Sequence, residues 1–217
     1  MEFTFSPEAD DAAALTASIL ADHTGPERLK AVEAGGDRFD RDLWAKLNTA
    51  FDWAELDLIE LCRVLEEVGR TVAPVPLAVH GPSVLLLTQH NIEHRGLVTA
   101  AVAEERSHLP AEPITTSDGS AVTGRKTLVR AGMSADAFLV TATTPQGPRV
   151  FLVDAAHITR EAQHTSDGDA TALVTFDDSP AILVGDASTP DRLAQVLTVA
   201  AAAEQLGVAE GALALTA

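Results

Sequence analysis

The 217-residue sequence predicts an α+β, multi-domain fold. An N-terminal helical domain covers 1–96, a middle antiparallel β-domain 97–187, and the first helix of a C-terminal helical bundle 188–217. Three observations carry this expectation. Up to residue 96, apolar residues recur at helical spacing between capping signals. From residue 97, short β-type runs follow one another too closely for helical crossovers, separated by Gly, Asp, Ser and Pro. From Thr189 an Ala-rich stretch returns to helical spacing, with apolar residues on several sides.

The elements follow in order. Ser6-Pro7-Glu8 starts a helix: Ser caps, Pro suits the first helical position, and Glu favours the positive end of the dipole. Gly25-Pro26-Glu27 starts a second, which Gly35-Gly36 stops. Asp40 caps a third, carrying Leu43, Trp44, Leu47 and Phe51. In the fourth, Leu58, Leu61, Cys62, Leu65 and Val68 form one stripe, while Asp57, Glu60, Arg63, Glu66, Glu67 and Arg70 face away. Gly69 is placed to supply its left-handed stop. Val72–Ala78 reads as an extended connector punctuated by proline, and Gly81-Pro82 as the opening of a short helix to about Gln89. The β-type runs are LVTAAVA, SAVTGRKTLVR, AFLVTA, RVFLV, ALVTF and AILV. Within them, VTGRKTLVRAGMSADAFLVTA (122–142) reads as a hairpin, with Lys126 and Arg130 among apolar neighbours. Thr189-Pro190-Asp191 caps the last helix, which runs to Ala217 without a closing Gly, Asn, Lys or Arg.

Composition narrows the function. With 46% hydrophobic and 22% charged residues the chain is an ordinary globular one. A formal charge of −17 repels phosphate backbones and argues against nucleic-acid partners. Twelve of the fifteen basic residues are Arg, the better fork for carboxylate or phosphate, so a small anionic ligand stays open. Cys62 is alone and reads as a buried thiol. His90 and His94 lack a third ligand at metal-binding spacing and read as a surface pair, so no metal site is expected. The acidic N-terminus differs from a signal peptide, and the apolar run Leu193–Ala203 falls short of a membrane span. A cytoplasmic protein without a membrane partner is expected.

Three motifs in this order resemble the acyl-CoA dehydrogenase family. LEEVGRTVAPVPLA (65–78) is similar to the segment that ends the family's N-terminal helical domain. Residues 122–142 with RVFLVD (149–154) look like its middle β-domain, and AAAEQLGVAEGALALT (201–216) resembles the first helix of its C-terminal four-helix bundle. The resemblance implies α,β-desaturation of an acyl-CoA thioester, with a carboxylate taking the α proton and the β hydrogen leaving as hydride to flavin N5. It also implies FAD, an acyl-CoA substrate, a homologous subunit in a homo- or hetero-oligomer, and an electron-transfer flavoprotein as acceptor.

Carried over residue by residue, the resemblance places the flavin beside Val102, Ala103, Leu128, Val129 and Arg130, where departures also concentrate. Leu128, Val129 and Arg130 stand where the family has Trp-Ile-Thr/Ser, so the ring-side aromatic and the hydroxyl are replaced. Arg130 can serve an anionic flavin or phosphate group, or sit solvated at a strand end. Ala103 replaces a flavin-contacting Thr; Glu104 matches, and reads as exposed at a strand end. The Gly-Ser-Asp loop is absent from SHLPAEPITTSD (107–118), and AELDLIELCRVL (54–65) follows Trp53 without the family's Gly-rich loop. Where some members carry the base, the last helix reads Val196-Leu197-Thr198; Glu204 and Glu210 match no catalytic position and read as solvent-facing. No catalytic residue is assigned. These departures share one sense: the chain resembles the degenerate partner of a heteromeric bacterial enzyme, one that completes a flavin site carried by a homologue, or a member trimmed at its C-terminus.

Overall fold

The computed structural model describes residues 4–166 and 168–216. The expected helix end at Ala217 lies outside them. The chain divides into two compact units, Met1–Leu85 with Val196–Ala217, and Leu86–Gln195.

The helical unit is built from α1 (Pro7–Ala21), α2 (Pro26–Ala34), α3 (Arg41–Ala50) and α4 (Leu58–Arg70), with parts of α5 (Leu77–Gln89) and α6 (Thr189–Thr216). Ser6 caps α1 by accepting from the Ala9 N–H. Asp40 caps α3 and also takes a bidentate guanidinium from Arg28, at 2.7 and 2.6 Å. Asp57 and Glu60 form a reciprocal capping box on α4. The α4 stripe places Leu61, Val64, Leu65 and Val68 in the core with Leu20, Leu43, Leu47 and Leu77. Trp53 is buried against Trp44 and Phe51 in stacked geometry, and its indole N–H reaches Asn48. Cys62 is half-buried beside this core.

Two expectations in this unit need correction. Gly69 does not end α4; the helix closes on Thr71, and the left-handed residue is Val72. Gly69 is instead a point of close approach, where a Cβ would collide with the Glu204 carbonyl of α6. Gly207 and Gly211 of α6 face the Glu66 and Arg70 carbonyls in the same way. Likewise, α5 begins at Leu77, so Gly81 and Pro82 lie inside it. A Cβ on Gly81 would meet the Leu61 side chain at 2.6 Å, so this glycine also marks packing. By length and composition alone, the 28-residue α6 is long and apolar enough to cross a bilayer.

The β unit contains β1 (Val98–Ala101), β2 (Thr116–Ser117), β3 (Ala121–Val129), β4 (Ala137–Thr144), β5 (Gly147–Asp154), β6 (Ile158–Ala162) and β7 (Ala172–Val184). The sheet runs β1-β4-β2-β3-β7-β5, β6 pairs with β7, and β5 returns to pair with β4, so the sheet closes on itself. Pairing is antiparallel except that β1 and β2 both lie parallel to β4. Phe138, Phe151, Phe176, Val129 and Val153 fill the interior.

Residues 122–142 are not a hairpin. β2 lies between β3 and β4, and the tight hairpin joins β4 to β5 at Thr144–Gly147. The chain leaves β3 through a helical turn, with the Ala135 N–H bonded to the Ala131 carbonyl, which no two-residue hairpin contains. ALVTF and AILV belong to one bent strand, β7, which pairs first with β3 and then with β5. The bend falls at Asp178, with φ of 49°.

Candidate functional site

The β unit buries a complete ion pair. Lys126 on β3 is fully buried, and its ammonium donates to Glu104 Oε1 at 2.8 Å, Thr141 Oγ1 at 3.1 Å and the Val102 carbonyl at 3.4 Å. These three bonds use its three donors. Glu104 in turn accepts from the Ile114 N–H at 2.7 Å, the Thr115 N–H at 2.9 Å and the Thr115 hydroxyl at 2.8 Å. Burial raises the Glu104 pKa, but the bonds from Ile114, Lys126 and Thr115 outweigh it and hold the carboxyl at about 2. Burial lowers the Lys126 pKa, and Glu104 opposes that shift. The Glu104 carboxyl is therefore ionised at neutral pH. The pair ties the exit of β1 to the approach to β2 and to the middle of β3. The expectation of an exposed Glu104 is corrected by its 7% exposure. A lysine among apolar strand residues was the signal; its partner, 22 residues away, had none.

The expected cofactor positions come together beside this pair. The Thr127 N–H bonds to the Ala103 carbonyl at 3.0 Å, joining the end of β3 to the segment after β1. Val102 is half-buried and gives its carbonyl to Lys126; Ala103 is buried. The register between β3 and β7 slips between Lys126 and Val129, making a β-bulge, and Leu128 within it has φ of 50°. Leu128 is 40% exposed, whereas Val129 is buried. Arg130, just past the end of β3, keeps 42% of its side chain exposed while its Nε donates to Asp169 Oδ2 at 2.9 Å.

These side chains do not fit the flavin that the sequence resemblance implies. No hydroxyl stands at 103 or 130 and no aromatic at 128. The polar groups that remain are engaged within the chain: the Leu128 N–H donates to the Gln163 amide oxygen, the Thr127 hydroxyl accepts from the amide nitrogen, and the Arg130 Nε donates to Asp169.

On α6, Val196 is buried and Thr198 exposed. Glu204 is half-buried, and Glu210 pairs with Arg70 at 2.5 Å, so neither is simply solvent-facing. His94 is half-buried, and burial lowers its pKa. Among the described residues no group of three His, Cys, Asp or Glu converges to hold a metal ion.

No family model matches the chain. Comparison with individual proteins is more informative. The chain is 31% identical over 178 residues to the acyl-CoA dehydrogenase FadE27 of Mycobacterium tuberculosis, a match covering 71% of this chain and 48% of the relative. It thus spans about half the length of the curated relative. A variant of the Tcur3481–Tcur3483 steroid ACAD superposes with a TM-score of 0.89 at 32% identity, over 96% of this chain and 65% of that one. The ChsE4–ChsE5 complex of Mycobacterium tuberculosis superposes with a TM-score of 0.88 at 26% identity, over 100% of this chain and 67% of that one. Helical and β elements in matching order, superposable over nearly the whole chain at about one identical residue in three, make the chain a member of the acyl-CoA dehydrogenase family.

Proposed function

We propose that this chain is a subunit of an FAD-dependent acyl-CoA dehydrogenase that desaturates an acyl-CoA thioester between its α and β carbons. Within that assembly it is the partner that completes the site of a homologous, catalytic subunit. The carrying observation is the composition of the β3 bulge. Ala103, Leu128 and Arg130 lack the groups for a flavin ring, while the fold around them is intact. A chain that keeps the scaffold and replaces the contacts serves assembly better than chemistry. The similar proteins support the reading, since two of them carry paired names, Tcur3481–Tcur3483 and ChsE4–ChsE5. The steroid ACAD among them makes a steroid-bearing acyl-CoA the first substrate to try, and the family resemblance implies an electron-transfer flavoprotein as the acceptor.

The test is an absorption spectrum in the flavin band, taken on the chain alone and co-purified with a homologous acyl-CoA dehydrogenase subunit. The chain alone is expected to be colourless. The complex is expected to be yellow and to bleach when a steroid acyl-CoA is added without acceptor. A complex without flavin would overturn the reading, and a chain that binds and reduces flavin alone would replace it with a self-sufficient enzyme.

A further inference from the structure

The bulge in β3 creates a specific requirement. A β-bulge leaves one residue outside the ladder, and here Leu128 is that residue, so its N–H has no strand partner. Leu128 is exposed, so this donor faces water unless another group takes it, and such a donor is a natural handle for a bound ligand. Gln163, just past β6, fills that role. Its backbone N–H bonds to the Thr171 carbonyl at 2.9 Å, which fixes the residue against the start of β7. Its Oε1 accepts from the Leu128 N–H at 2.7 Å, and its Nε2 donates to the Thr127 hydroxyl at 3.0 Å. The Leu128 N–H requires an acceptor, so it sets the orientation of the amide. Six residues beyond Gln163, Asp169 takes the Arg130 Nε at 2.9 Å. Gln163 and Asp169 thus meet the Leu128 N–H, the Thr127 hydroxyl and the Arg130 Nε. A flat group laid on this edge would have to displace both.

We infer that Gln163 and Asp169 are intramolecular occupants of the β3 bulge, closing this edge of the barrel to a flavin so that the chain keeps the bulge but offers no cofactor contact through it. The inference rests on the reading of this chain as the completing subunit and adds which residues close the edge. It makes the engaged donors a built feature, stabilised from within, and not merely the loss of a hydroxyl and an aromatic. Substituting Leu128 and Arg130 alone would therefore not open the edge.

Hydrogen exchange at the Leu128 amide, read by two-dimensional NMR, tests this on the full chain with and without added FAD, and on the chain in complex with a homologous subunit. In the native sequence the Leu128 amide is expected to be protected and its rate unchanged when FAD is added or when the complex carries flavin. Gln163→Ala is expected to raise its rate by roughly tenfold or more, while amides in the β4–β5 ladder keep theirs. A flavin-dependent change at Leu128 in the native sequence would overturn the inference, as would an unchanged rate in Gln163→Ala. Either result leaves the flavin spectrum of the complex as a separate measurement. If the complex lacks flavin, the function above fails while the Gln163→Ala result still decides the closure.

Discussion

In the helical unit Arg63, Arg70 and Arg28 pair with carboxylates while leaving 21, 38 and 41% of their side chains exposed; in the β unit Lys126 pairs with Glu104 at 0 and 6%. The helical unit buries single carboxylates, Asp40 and Glu66, each paired with an arginine that reaches solvent, and brings α4 and α6 together on glycines. The β unit holds a charge pair at its centre, with hydrogen bonds on both partners. The contrast locates where each unit is vulnerable. Exposed pairs contribute about 1 kcal/mol or less, and the buried Asp40 carboxylate still accepts from the Asp42 and Leu43 N–H groups when Arg28 is left out. A buried pair is weak evidence for net stability, yet breaking it strands a charge. The helical unit should therefore be sensitive to shape and the β unit to charge.

The largest effect expected is from Lys126→Met. It leaves Glu104 ionised without its cation, at a cost of about 4 kcal/mol. Hydrogen exchange should show the loss in β1–β7 and not in α1–α4. Adding Glu104→Gln removes the stranded charge while keeping an acceptor for the Thr115 N–H, so the double variant should recover part of the loss. A double variant no better than Lys126→Met would show that shape, not charge, governs this unit as well.

A smaller effect should follow acid. Glu104 has its pKa lowered from 4.5 to about 2 in the folded chain. The folded state binds the proton more weakly than the unfolded one, so the contribution is complete above pH 4.5 and disappears as the pH falls through 2. The loss is about 3 kcal/mol at most. Exchange in the β unit should rise across that window before exchange in α4 does. If α4 loosens first, the charge-centred description of the β unit is wrong.

The smallest of the three is Gly207→Val. Helix propensity changes little, but the side chain meets the Glu66 carbonyl, and overpacking should cost about 2 kcal/mol. The change should appear in α4 and α6 by exchange, with the β4–β5 ladder unaffected. Equal loosening of both units would remove the distinction between them.

Much of this molecule is local. Ser6, Asp40 and Asp57 cap the helices that follow because a side-chain oxygen within three residues is the nearest acceptor for orphan N–H groups. The Leu61-Leu65-Val68 stripe fixes the buried face of α4 from its period alone. The order helices, β, helix was legible for the same reason, and the motifs at 65–78, 122–142 and 201–216 were enough to read the family.

Other features depended on distance along the chain. Gly69 and Gly81 look like punctuation in sequence, but each is set by a helix packed against it, and nothing near them in the chain announces that neighbour. The stretch 122–142 reads as a hairpin because two apolar runs flank a turn; the two-residue β2, too short to carry a pattern, separates them. Glu104 looked exposed because its three partners lie 10 to 22 residues away. Gln163 had no signal at all. The sequence by itself determined the helices, most of the strands, the order helices, β, helix and the family, because capping and periodicity act over a few residues. Only the tertiary structure decided which glycines are contacts, that Glu104 is buried and charged, and that Gln163 reaches the bulge, because each depends on backbone pairing between distant segments that local preference does not encode.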